Sequence, residues 1–413
     1  MKINIIGGGT SGWWTAGYLR KNHPNVEITL IESPNIATVG VGESTMPNVR
    51  AFFEELEIPE EAWIKSCSGV RKEGNVKTNF RYVGDEPLNF MFIHKGFDEW
   101  YEKYKKREVT KNSVYDLYDP NDWRGYAYHI DAAQAWQIVK EYTKDIKHVL
   151  ATVTRDELPE ADLNIDCTGL GRHLMQDKTM HTYPDTLVDT CIVRRIEEDT
   201  KNYSETIGRD YGWDFNVYLS DRRVGCGYVF DSSKITIEDA KKEYMQNNGH
   251  RKFLTDFRVL KWEPGRLETP WQGDTVAVGL SAGFIEPMEA NGLSLLIHQI
   301  KTLSRVLNKP KADIIYNKAI AKVFDQVADF IWHHYACTSR QETSFWQHYA
   351  KLDGRTTLMK RIQDNTNLKT NLYPSYVYAY LAIYYGVELK PFGLHIPKDL
   401  EDNIYADAFM WSM

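Results

Sequence analysis

Residues 2–32, KINIIGGGTSGWWTAGYLRKNHPNVEITLIE, decide the fold. Lys2 to Ile6 is a short apolar strand, and Gly7-Gly8-Gly9-Thr10-Ser11-Gly12 follows it at once. Trp13, Trp14, Ala16 and Leu19 then continue with helical spacing to a stop near Asn22-His23-Pro24. Val26 to Ile31 reads as a second strand and ends on Glu32, twenty residues after Gly12. A glycine-rich turn alone says little. Set between a strand and a helix, with an acid closing the next strand, it predicts a dinucleotide site. Gly7 serves the tight turn, Gly9 lets the backbone approach a pyrophosphate, and Gly12 lets helix and strand pack closely. The helix start, with Thr10, Ser11 and Trp13, offers N–H groups to phosphate charge. Glu32 is placed to accept hydrogen bonds from a ribose.

Working outward, a second small-residue loop runs from Thr38 to Pro47 and returns to the same sheet edge, where it can cover the rest of a cofactor. These segments alone leave NAD and FAD open. The strongest strand pattern elsewhere runs from about Thr186 to Phe230, and the chain turns mainly helical after Gly292. Tyr376, Tyr380 and Tyr384 share one helix face, which is read chiefly as core packing and otherwise as a pocket wall.

Composition narrows the function classes. A 413-residue chain with 42% hydrophobic and 26% charged residues is that of an ordinary globular protein. Fifty basic against 57 acidic residues give a net charge of −7, which argues against nucleic acid as a main partner. The basic run Lys103 to Arg107 reads as a solvated helix face. Five cysteines without a CxxC pair offer neither a disulfide frame nor a metal site. No signal peptide precedes the first strand and no apolar run reaches the ~18 residues of a membrane span, so a cytoplasmic protein without membrane attachment is expected.

Further motifs recur along the chain: VGVGEST at 39–45, GYAYHID at 125–131, ADLNIDCTG at 161–169, VGLSAGFIEPME at 278–289, DFI at 329–331 leading to Tyr335, and Arg340 through Phe345-Trp346. With GGGTSGW at 7–13, they resemble, in order, the signature segments of the flavin-dependent halogenases of the tryptophan-halogenase family. The likeness covers most of residues 1–350 and identifies a short, non-tryptophan-type member. It implies an α/β fold with an FAD-binding Rossmann-type, p-hydroxybenzoate-hydroxylase-like domain, an antiparallel substrate sheet and a helical C-terminal part. The expected division is a discontinuous FAD domain at 1–50, 125–180 and 265–300, a substrate and halogenation sheet at 51–124 and 181–264, and a substrate-side helical region at 301–413.

The resemblance also implies chemistry. Reduced FAD, O2 and a halide (chloride, bromide or iodide) yield hypohalous acid, which a buried lysine presents to an electron-rich aromatic or enol small molecule. The FAD contacts it implies are Gly7, Gly9, Thr10, Ser11, Gly12, Trp13, Glu32, Ala37, Gly42, Glu43, Ser44, Leu280 and Leu293. The halide site maps to the backbone amides of Asn291 and Gly292, where a helix start suits an anion. Lys72, in Lys72-Glu73-Gly74, best matches the family's K-x-G lysine, with Lys77 the second candidate. Desolvation in a tunnel favours the neutral amine such a role needs. Glu289 matches the second glutamate of the EPLE-type run, and takes the ring proton or holds the oxidant.

Two departures stand out. Ala290 replaces the family's serine after that glutamate. The family's WxWxIP segment, held to keep substrate from the flavin, reads Trp213-Asp214-Phe215-Asn216-Val217-Tyr218. That change keeps an FAD hydroxylase in view as the alternative, with a non-catalytic FAD-binding protein behind it. Phe92, His94 and Phe97 fall roughly where the family stacks its substrate. The expected partners are a small-molecule substrate and a separate flavin reductase, since no second dinucleotide motif is visible for NAD(P)H, and the expected assembly is a homo-oligomer.

Overall fold

The computed structural model describes residues 1–36, 42–80, 88–91, 96–119, 121–122, 125–338 and 340–352. Ala37, Phe92, His94, Tyr376, Tyr380 and Tyr384 lie outside the described residues, and of Phe97 only the backbone is described. The quoted opening folds as read. Lys2–Ile6 forms a strand, Thr10–Asn22 a helix and Glu27–Glu32 the next strand. The two strands pair in parallel, Ile3 opposite Ile28, and Leu163–Asp166 pairs in parallel on the other side, Ile3 opposite Leu163. Lys147–Leu150 and Thr275–Ala277 extend this sheet outward, and Trp271–Gln272 closes its six strands. Burial on both faces explains the unbroken apolar runs of its central strands: Ile3, Ile5, Leu30 and Ile165 are all inside.

A second, eight-stranded sheet carries the long strands Thr190–Glu197, Tyr203–Arg209, Gly212–Tyr218 and Arg223–Phe230 in antiparallel pairing. Its far side is not antiparallel. Gly74–Thr78 joins Tyr203–Arg209 in parallel, with Lys77 opposite Thr206, so the sheet is mixed. This follows from the crossover: a strand arriving from residues 74–78 has no hairpin to reverse it.

Between the two sheets sits a small three-stranded one, made of Glu43–Ser44, Ala127–Ile130 and Val70–Lys72. It draws from segments on either side of the expected boundary at 124/125. The helices Asn291–Val306, Ala312–Ala336 and Ser344–Ala350 follow, the first with twelve of its sixteen residues buried. Among the described residues, no helix is long and apolar enough to cross a membrane.

Candidate active site

The cofactor end is built by close backbone approach. Gly7 has φ of +116°, and a Cβ there would run into the Cys167 carbonyl of the neighbouring strand end. A Cβ on Gly12 would overlap the Gly7 carbonyl oxygen, so the helix sits directly on the turn. That helix starts at Gly9 without a side-chain cap, so its first-turn N–H groups suit an anion. Thr10 donates its hydroxyl to the Ala132 carbonyl at 3.1 Å, and Ser11 packs against Gly279. Both side chains are engaged inside the fold, leaving their backbone for phosphate. Trp13 is buried too, its ring centroid 6.5 Å from Trp136 and 5.2 Å from His148. Glu32 lies over Gly8 at its strand end, and its Oε2 accepts from His148 Nε2 at 2.9 Å.

These features fit the adenosine diphosphate half of FAD: an uncapped helix start, a cradle any Cβ would fill, and a carboxylate at the end of the next strand. Two further turns converge there. Gly279–Ser281 brings Leu280 beside the glycine loop, and Ser281 Oγ donates to Asp166 Oδ1 at 3.0 Å, bridging to the strand end at residue 166. Leu280 is 39% exposed whereas Leu293 is buried, so of the two only Leu280 presents its side chain at the surface. Gly42, with φ of +96°, leads into Glu43 and Ser44 in the small sheet. Burial pushes the Glu43 carboxyl up to about 7, with Asp131 adding its charge.

The two candidate lysines occupy different strands of different sheets and are both buried, Lys72 at 0% and Lys77 at 2% exposure. Lys72 Nζ donates to Ser44 Oγ at 2.7 Å and to the Thr45 carbonyl at 3.0 Å. Burial pulls its ammonium down to about 7, against the pull of Glu289 through space and with the push of Lys77. Lys77 Nζ donates to Glu289 Oε1 and to His334 Nδ1, the latter at 3.1 Å. Burial lowers its pKa as well, while Glu289 opposes that shift by charge and hydrogen bond. His334 Nε2 lies 3.4 Å from the same Glu289 oxygen. Burial, then Lys77, pushes His334 well below the ordinary imidazole range. The neutral ring accepts from Lys77 at Nδ1, and its Nε2 lies near Glu289 without donating to it.

Glu289 and Ala290 carry consecutive left-handed backbones, φ of +62° and +55°. The residue pair therefore forms a tight corner directly before the helix. Neither residue is glycine, so the corner stores strain of roughly 1–3 kcal/mol per residue. It turns the Glu289 carboxylate inward to Lys77 and starts the helix at Asn291 without a side-chain cap. A Cβ on Gly292 would meet open space, so the helix start is open on that side.

Four groups were given no role in the sequence reading. Glu286 is buried, accepts from Tyr335 at 2.8 Å, and is pushed up to about 8 by burial. It lies close enough to Lys77 for their charges to interact. His334 and Tyr335 both sit in the segment that follows Asp329-Phe330-Ile331, so that motif marked them without showing why. Ser204 gave no signal, because a serine in an alternating strand reads as an ordinary polar position.

The tryptophan halogenase family model matches residues 2–395 of the chain. A tryptophan 6-halogenase of Streptomyces toxytricini is 27% identical, over 94% of this chain and 90% of that protein. A tryptophan 7-halogenase of Lentzea aerocolonigenes is 26% identical, over 90% of this chain and 81% of that protein. The crystal structure of the S. toxytricini protein superposes with a TM-score of 0.82 at 26% identity, over 99% of this chain and 96% of that one. A flavin-dependent halogenase from Xanthomonas campestris shares the fold with a TM-score of 0.85 at 23% identity, over 99% of this chain and 92% of that one.

Proposed function

Because the chain belongs to the tryptophan-halogenase family, enzymes that use reduced FAD, O2 and halide, we propose that its two buried lysines divide the work of halogen transfer. When bound, reduced FAD with O2 supplies the oxidising equivalents that turn halide into hypohalous acid. The residues of this chain do the rest. The glycine loop and Glu32 hold the adenosine end, and the amides of Asn291 and Gly292 hold the halide.

Lys72 carries the oxidant. Its donors meet neutral oxygens, Ser44 Oγ and the Thr45 carbonyl, and burial sets its titration near 7, so a large share of it is neutral at physiological pH. Only the neutral amine has the lone pair that displaces hydroxide from hypohalous acid, forming an N–X bond with loss of water. Its proton form serves by donating a hydrogen bond to the same oxidant. Lys77 is tied instead to Glu289 and fixes that carboxylate beside the transfer point. The substrate's π electrons then form the carbon–halogen bond as the N–X bond breaks, its electron pair returning to the Lys72 nitrogen, which takes up a proton. The carbon–hydrogen bond next gives its pair back to the π system and Glu289 accepts that bond's proton. The observation that carries this reading is the ion pair of Lys77 with Glu289 alongside a separate buried lysine. Electron-rich phenols, indoles and enols are the substrate class, and a separate flavin reductase supplies reduced FAD.

The test supplies reduced FAD, O2 and each halide to a panel of those compounds, with products followed by mass spectrometry. Lys72→Met abolishes halogenated product while hypohalous acid still forms. Halogenation retained in Lys72→Met and lost in Lys77→Met would reverse the assignment. The hydroxylase alternative draws on the altered segment at 213–218, which runs as a regular strand through the middle of the mixed sheet. It requires an oxygenated product that forms without halide.

A further inference from the structure

A buried polar chain runs from Lys72 through Ser44, and its polarity can be read from its far end. His129 Nδ1 lies 3.1 Å from the Tyr218 carbonyl. A carbonyl only accepts, so Nδ1 carries a hydrogen. Burial, then the charge of Lys72, pushes the imidazole down to about 3, so the ring is neutral and Nε2 is an acceptor. Ser204 Oγ is 2.8 Å from Nε2 and must donate its one hydrogen there. Ser44 Oγ, 3.0 Å from Ser204 Oγ, must therefore donate to Ser204 and accept from Lys72. Every link has one permitted direction.

The chain joins four segments that are far apart in sequence: the Glu43–Ser44 strand, the Lys72 strand end, the Ala127–Ile130 strand and Tyr203–Arg209. Lys72, His129 and Ser204 are buried, so water does not compete for these bonds. The titratable groups that face Lys72 are Glu289, Lys77 and His129. With Ser44 prevented from turning its own hydrogen toward Lys72, the amine always meets an oxygen lone pair there, and one of its N–H bonds is fixed in direction.

Resting on Lys72 as the oxidant carrier, we propose that His129, acting through Ser204 and Ser44, is a positioning residue that sets where the Lys72 amine points. Breaking the chain frees the Ser44 hydroxyl to rotate and donate to the amine nitrogen, which occupies the lone pair needed for the oxidant. Oxidant formation then continues and its capture fails.

The experiment measures halogenated product and freely diffusing hypohalite, trapped by a scavenging dye, per reduced FAD consumed. It compares wild type, Ser204→Ala, His129→Leu, His129→Gln and Lys72→Met, with melting temperature recorded for each. Ser204→Ala and His129→Leu lower the ratio of product to trapped hypohalite by roughly tenfold, as expected for a misplaced reacting group. His129→Gln, whose side-chain oxygen can accept from Ser204, recovers most of the ratio. An unchanged ratio in Ser204→Ala and His129→Leu, or a fall in product and trapped hypohalite together with a loss of melting temperature, overturns the proposal. Lys72→Met separates the two claims. If it keeps the wild-type ratio, the carrier assignment falls; if it alone loses product, only the positioning role falls.

Discussion

At the scale of single residues, the site is a set of buried ionisable groups whose environments push them apart. Lys72 titrates near 7, so the neutral share grows as pH rises through that value. Halogen transfer measured at saturating oxidant is accordingly expected to rise through pH 7 and level off above about 8, and Lys72→Met removes that limb. The same shift has a stability sign. Between 7 and the ordinary lysine value the unfolded chain binds a proton that the folded chain does not, so stability rises with pH there. The cost of burying Lys72 is fully present below about 7, and Lys72→Met should raise the melting temperature most at that end, with the gain shrinking toward pH 10.

Glu286 has the opposite sign. Its folded carboxyl titrates near 8, so the folded chain keeps a proton that the unfolded chain loses, and stability falls as pH rises from about 4.5 to 8. Glu286→Gln is therefore expected to be near neutral at low pH and stabilising above pH 8, by thermal melts across that range. A destabilisation that grows with pH would show that Glu286 is ionised and partnered.

At the scale of elements, the cofactor loop was legible because its chemistry is backbone geometry, and glycines at fixed offsets record that directly. Gly12→Ala should lose FAD binding, since its Cβ would overlap the Gly7 carbonyl; retention of flavin after gel filtration would contradict this. The Glu289–Ala290 corner was not legible. Nothing in Glu-Ala-Asn-Gly signals two left-handed residues in succession, because the conformation is imposed by the Lys77 ion pair and the buried helix that follows. Ala290→Gly should stabilise the chain by about 1 kcal/mol in denaturant unfolding, by removing strain at one of the two positions. The division between the lysines was also hidden. Lys72 and Lys77 are five residues apart, and only the change of sheet between them directs one to Ser44 and the other to Glu289.

At the scale of the molecule, the six-stranded sheet holds the dinucleotide loop, the eight-stranded mixed sheet holds Lys77 and Ser204, and the small sheet between them holds Ser44, Lys72 and His129. The run of strand-forming residues made the mixed sheet readable from 186 to 230. The parallel entry of Gly74–Thr78 depends on long-range pairing with no local signature. One measurement tests this account most directly: mass spectrometry of an electron-rich phenol or indole treated with reduced FAD, O2 and bromide, for wild type, Lys72→Met and Lys77→Met. The account predicts a brominated product that requires bromide, disappears in Lys72→Met while trapped hypobromite persists, and falls in Lys77→Met as Glu289 loses its tether. A hydroxylated product independent of bromide, or full bromination by Lys72→Met, would contradict it.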